Sequence, residues 1–221
     1  MNISGLEVKW LGHSGFVIKN HKTIYIDPYN VKPGSEKADV ILITHGHYDH
    51  CSVADIQNLI KEGTKIFLTA DAQSKITRID VPIDIQIVEP NQEFNVGEIK
   101  ISTFPAYNID KPFHRKDEGW VGYLVKINGL IVYFAGDTDL IPEMQKLTGH
   151  KQPDKTFVAV LPIGGRFTMN VEEAVEAAKL IQPSLAIPMH YGTIIGTPED
   201  AEEFVSSCKK EGIDAKILEK E

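Results

Sequence analysis

Cysteine is scarce: the 221 residues hold only Cys51 and Cys208. Two thiols so far apart form no disulfide framework, and no paired-cysteine motif of structural zinc can be built from them. Long apolar runs are missing as well. None approaches the ~20 residues that a membrane helix requires. The opening "MNISGLEVKW" has no basic start followed by an apolar stretch, so a cytoplasmic protein without membrane association is expected. Blocks of like charge, Gly/Ser-rich linkers and low-complexity tracts are also lacking, and one domain spanning residues 1–221 is the expectation. Positive charge is in deficit. A net charge of −8 and a pI near 5.5 argue against a broad nucleic-acid surface and leave self-association open.

What is present is a β-rich chain with enough apolar content, 42%, to bury a core without staples. Runs such as "GFVIKN", "TIYIDP", "KIFLTA", "VGYLVKI" and "LIVYFAGD" are bounded by turn residues, and Asn128-Gly129 marks a hairpin. "DVILIT", "FVAVLPI" and "LAIPM" are apolar on both alternations and predict central strands. "DAKILEK" predicts a last strand. Three helices are legible. Ser52 caps the first, which Gly63 can end. Asn170 and Glu173 form a capping box for the second, which stops at Pro183. "Thr197-Pro198-Glu199" opens the third, with Cys208 on its inward face. The stretch Gly15 to Asp27 also resembles Gly122 to Asp137: glycine, strand, polar turn, strand, aspartate. That echo suggests two related halves.

Histidine is the residue in excess locally. "ITHGHYDHC" puts His45, His47 and His50 beside Asp49 directly after an apolar strand. In extended backbone, residues i and i+2 share a side, so His45 and His47 can grip one cation while Asp49 and His50 reach a second. Asp137 and His190 also stand where apolar runs stop, and strand ends are where a sheet fixes functional groups. Imidazole with carboxylate suits Zn²⁺, with Mn²⁺ or Fe²⁺ as alternatives. Two divalent ions are expected, with Asp137 as the bridging carboxylate.

"THGHYDH" resembles the H-x-H-x-D-H signature of the metallo-β-lactamase superfamily, and "GDTD" and "PMHYG" are similar to its later metal-binding motifs. "WLGHSGFVI", "IYIDP", "LPIGGRFTM" and "EEAVEAA" resemble more narrowly the L-ascorbate 6-phosphate lactonase-like hydrolases. The resemblance runs from about Val8 to Gly192. It implies an α/β fold of the four-layer αββα sandwich type, two mixed sheets flanked by helices. It also implies a hydrolase in which a water shared by two metals attacks an ester, lactone or phosphoester bond of a small, anionic substrate. One motif departs: where the superfamily supplies a further histidine, this chain has Asn108, and His114 follows six residues later. Asp49 and His114 are therefore the expected catalytic residues. His13, Asp27, Asn108, Gly164 and Gly165 are expected to contact substrate or to support the ligands. Other readings stay open: a phosphodiesterase or nuclease of the same superfamily, a di-iron redox protein, and a metal-binding protein without turnover. The di-iron members resemble H-x-E-x-D-H, with glutamate where this chain has His47.

Overall fold

The computed structural model describes residues 1–76 and 81–221. They form two compact units, Met1–Glu89 with Glu219–Glu221, and Pro90–Leu218.

The first unit is a seven-stranded mixed sheet in sequential order. Its strands are β1 (Asn2–Ile3), β2 (Leu6–Gly12), β3 (Gly15–Lys19), β4 (Thr23–Ile26), β5 (Val40–Leu42), β6 (Lys65–Leu68) and β7 (Asp84–Ile87). β1 to β4 are antiparallel, and β4 to β7 are parallel. Helix α1 (Val53–Leu59) fills the crossover between β5 and β6. Its apolar stripe, Ile56 and Leu59, packs with Val17, Tyr25, Ile41, Ile66 and Leu68 in one buried cluster. The opposite alternation, Ile18, Ile24, Val40 and Leu42, is buried too. This two-sided burial is what "DVILIT" predicts. Helix α1 ends at Leu59, with Ile60 already extended, so the helix stops short of Gly63. A one-turn helix α2 (Ala70–Gln73) after β6 had no signal in the sequence.

The second unit is a six-stranded mixed sheet ordered β13-β12-β11-β10-β9-β8. These strands are β8 (Glu93–Val96), β9 (Ile99–Pro105), β10 (Val121–Ile127), β11 (Leu130–Phe134), β12 (Thr156–Pro162) and β13 (Leu185–Met189). The β8 to β11 pairs are antiparallel, and β11, β12 and β13 run parallel. Helix α3 (Val171–Ile181) packs against β12, and α4 (Pro198–Lys210) against β13 and α3. Helix α3 carries the expected Asn170–Glu173 capping box, and α4 has the expected Thr197 cap and Pro198, with Asp200 completing a capping box not anticipated from the sequence.

Two sequence expectations need correction. "LAIPM" is not central: β13 is the edge of its sheet. Pro188, which has no N–H to donate, fits an edge. Nor is the C-terminal segment a strand. It makes two single-residue bridges, Ala215 to Ala186 of β13 and Lys220 to Trp10 of β2. Its apolar alternation thus covers one edge residue at a time instead of adding a ladder.

The internal echo is structural. β3–β4 and β10–β11 are antiparallel hairpins whose second strand takes a parallel neighbour and then delivers an aspartate, Asp27 or Asp137. The Asn128-Gly129 turn has positive φ at both residues (46° and 77°), the requirement of a tight two-residue hairpin. At Gly122 a Cβ would lie 2.6 Å from the carbonyl oxygen of Phe134 and 2.7 Å from that of Ala135. Only glycine lets the two strands approach so closely there.

Both cysteines are buried, and burial pushes their thiols up, Cys51 to about 12 and Cys208 to about 11. A thiol so far from ionising is a poor nucleophile. At pH 8 a disulfide reagent should label neither in the native protein and both in urea. Labelling of either within minutes under native conditions would contradict this packing. Among the described residues, no helix is long and apolar enough to cross a membrane.

Candidate metal centre

In the first unit the chain leaves β5, continues the sheet through Ile43, whose N–H donates to the Phe67 carbonyl (2.8 Å), and turns at once into the histidine loop. The loop closes on itself, with the N–H groups of His50 and Cys51 donating to the His47 carbonyl at 3.1 and 2.7 Å. Gly46 N–H donates to Asp71 Oδ2 at 2.8 Å, and Lys75 Nζ donates to the Gly46 carbonyl. A Cβ at Gly46 would lie 2.5 Å from that same Asp71 oxygen, so a larger residue between the first two histidines would have to displace the carboxylate that holds the loop.

Asp27 organises the loop from below. It is fully buried and accepts three hydrogen bonds: Thr44 N–H (2.8 Å), Thr44 Oγ1–H (2.6 Å) and His50 Nδ1–H (2.7 Å). Burial raises its carboxyl above the ordinary range, while His50 and Thr44 pull it back down. The consequences for the imidazoles follow by counting protons. His50 spends its Nδ1 proton on Asp27, so Nε2 keeps the lone pair. Thr44 has one hydroxyl proton, given to Asp27, so its contact with His45 Nδ1 at 3.0 Å requires the proton on that nitrogen. His45 Nε2 therefore also keeps its lone pair, and it stands 3.1 Å from His47 Nδ1. Asp49 Oδ2 is 2.9 Å from His13 Nε2 and 3.6 Å from His50 Nε2. Donor atoms of His13, Asp49 and His50 lie within 4.8 Å of one another. His13 is nearly fully buried with positive φ (51°), anchored by Trp10 Nε1–H donating to its carbonyl at 2.9 Å.

The second unit presents its own set. Asp137, past the end of β11, has Oδ2 3.1 Å from His190 Nε2 and 3.4 Å from His114 Nε2. All three residues are buried. His114 Nδ1 lies 2.8 Å from the Phe167 carbonyl, an acceptor only, so the Nδ1 proton is fixed there and Nε2 faces Asp137 with its lone pair. Asn108 spends its amide protons on the Phe113 and Phe167 carbonyls at 3.0 and 2.7 Å. It braces the segment that carries His114. The imidazole that meets Asp137 is thus His114, and Asn108 stands behind it. Gly164 lies against His190: a Cβ there would come within 2.7 Å of its carbonyl oxygen. Gly165 (φ 79°) turns the chain so that its N–H reaches the Met169 carbonyl at 2.9 Å.

Thr44 and the Phe167 carbonyl are the contributors that sequence reasoning missed. A threonine before a histidine carries no pattern, and a backbone carbonyl has no residue identity to read.

Within each unit, every nitrogen or oxygen facing its neighbours is a borderline-to-hard donor, and three imidazoles hold the tautomer that a metal ligand needs. The donor chemistry fits Zn²⁺, Mn²⁺ or Fe²⁺ and contains no thiolate.

These features agree with the comparisons. The chain belongs to the β-lactamase superfamily: residues 7–190 match the family described as the Beta-lactamase superfamily domain. Within it, the chain joins the UPF0173 metal-dependent hydrolases. It is 32% identical to that of Archaeoglobus fulgidus, over 96% of this chain and 95% of the relative. To that of Thermococcus kodakarensis it is 35% identical over 90% of each. Among solved structures, an assigned metal-dependent hydrolase of Parabacteroides distasonis superposes with a TM-score of 0.83 at 30% identity, covering 98% of this chain and 94% of that one. Igni18, a metallo hydrolase of Ignicoccus hospitalis, gives 0.75 at 26% identity over 97% and 95%. The fold class read from the sequence, two mixed sheets flanked by helices, is the one these proteins share.

Proposed function

We propose that this protein is a metal-dependent hydrolase cleaving an ester, lactone or phosphoester bond of a small anionic substrate, with two divalent ions as cofactor. The observation that carries the reading is the proton count: His45, His50 and His114 each have the Nδ1 proton held by a named neighbour, which puts on Nε2 the lone pair that a metal ligand uses. The ligands would be His45, His47, Asp49 and His50 in the first unit, and His114, Asp137 and His190 in the second. When bound, such ions supply an acidified water, with a pKa brought from 15.7 towards about 7, and a Lewis acid for the carbonyl or phosphoryl oxygen.

The chain's own groups do the rest. His13 holds the Asp49 carboxylate in one orientation (2.9 Å), leaving it placed to orient the attacking water and accept its proton. Asp27, through His50 and Thr44, keeps two rings from rotating or changing tautomer. The Phe167 carbonyl does the same for His114. Arg166 stacks over the Phe167 ring (5.1 Å) and forms no ion pair among the described residues. Its guanidinium is a ready partner for a substrate carboxylate or phosphate. Ile109 and Phe113, 53% and 40% exposed, offer apolar contact in the same unit. The lactone is favoured among the three bonds by the branch that the sequence resembles.

The test is elemental analysis of protein purified without added metal, run beside a panel of charged and neutral esters, lactones, phosphomonoesters and phosphodiesters. Bound Zn, Mn or Fe with turnover of an anionic lactone or ester is expected. Turnover of phosphodiesters alone would reassign the protein as a phosphodiesterase, and bound metal without any turnover would leave a non-catalytic metal protein.

A further inference from the structure

A second charged site lies in the Pro90–Leu218 unit. Lys126 of β10 stands directly opposite Lys100 of β9. Two ammonium groups thus share one face of the sheet, which is destabilising unless something answers them. Lys155, just ahead of β12, and His150 close around the same spot. With Glu98 and Asn128 they line a cavity of about 460 Å³. Acidic groups answer only part of this charge. Glu93 Oε2 lies 2.8 Å from Lys100 Nζ, and Glu98 adds one carboxylate on the lining. Lys155 Nζ donates to Gln152 Oε1 at 2.9 Å. Lys126 forms no ion pair among the described residues. Burial and the nearby Lys100 hold its ammonium below the ordinary range, with Lys155 adding to the effect and Glu93 opposing it. Burial also lowers His150, followed by the charges of Lys126 and Lys155.

The cavity sits where β11 and β12 begin, whereas Asp137 and His190 follow the far ends of β11 and β13. At about 3.3 Å per residue, the 5 residues of β11 alone separate the two ends by roughly 15 Å.

We infer that this cavity binds a phosphate-bearing anion through Lys126, Lys100 and Lys155, with His150 as a further donor, apart from the candidate metal ligands. Three ammonium groups lining one cavity match a polyvalent oxyanion, for which lysine serves as a point charge. The volume exceeds that of one phosphate and admits a diphosphate or a small phosphate ester.

Pyrophosphate and glycerol 3-phosphate, titrated separately into metal-loaded ¹⁵N-labelled protein, test the site. Saturable shifts of the Asn128 and Gly129 amides with at least one probe are expected, and the tighter probe names the anion class. Lys126→Gln and Lys155→Gln should each weaken that binding about tenfold, the loss of one hydrogen bond to a charged group. Shifts confined to Gly136 and Gly192, beside the candidate metal ligands, would overturn the inference. So would wild-type affinity in both variants, or no saturable shift at all. The wild-type spectra decide the matter even if a variant folds poorly.

Discussion

Asp137→Ala should purify with its metal content sharply reduced and with kcat/KM on the panel substrate lowered by more than about a hundredfold. The bound derives from groups that merely support metal ligands, whose loss costs about 10–100-fold; a carboxylate facing two imidazoles directly should cost more. Its Oδ2 lies 3.1 Å from His190 Nε2 and 3.4 Å from His114 Nε2, so one substitution removes the partner of both rings. Asp137→Asn is the companion. It keeps the volume, and the urea midpoint should move little. Elemental analysis and initial rates on the two variants are sufficient. Wild-type metal content and rate in Asp137→Ala would remove the basis for the proposed centre.

The second large effect is expected at Asp27, which touches no substrate in this account. Asp27→Asn preserves shape but replaces an acceptor-only group by one that donates on one side. With the amide oxygen in the Oδ2 position, His50 Nδ1–H and Thr44 Oγ1–H keep their acceptor and the amide nitrogen opposes Thr44 N–H; with the amide reversed, its nitrogen opposes both of the first two donors. The first arrangement sets two N–H groups against each other at Thr44, and the second breaks the proton chain that fixes the tautomers of His45 and His50. Metal affinity should fall by about 10–100-fold, with kcat recovering at saturating metal. Competition with a chelator of known affinity measures it. A purely structural role would instead lower the urea midpoint and leave affinity alone. Because Asp27 is fully buried, Asp27→Ala adds a cavity and unmet donors and should fold less well than Asp27→Asn.

Much of the arrangement was legible before any coordinates. Strand ends announced themselves because apolar runs stop abruptly at "THGHYDH", "GDTD" and "MHYG". The caps at Ser52, Asn170 and Thr197 were legible because capping needs particular side chains at fixed offsets. The edge position of β13 was not anticipated from burial pattern, since a covered edge strand is as apolar as a central one, although Pro188 carried the information. The choice between Asn108 and His114 was also beyond periodicity. It depends on a positive φ of 55° at His114 and on a carbonyl fifty-three residues away, both set by tertiary packing. The lysine-lined cavity went unseen for a similar reason: Lys100, Lys126 and Lys155 become neighbours only through strand register.

The two echoing hairpins bear on how such a molecule arises. Each ends in a buried aspartate, yet Asp27 meets the Nδ1 side of His50 while Asp137 meets the Nε2 side of His114 and His190. Equivalent acids have taken opposite sides of the ring, one as anchor and one among the proposed ligating atoms. A duplicated template can therefore divide labour without inventing new geometry, simply by which nitrogen the opposing histidine turns towards it.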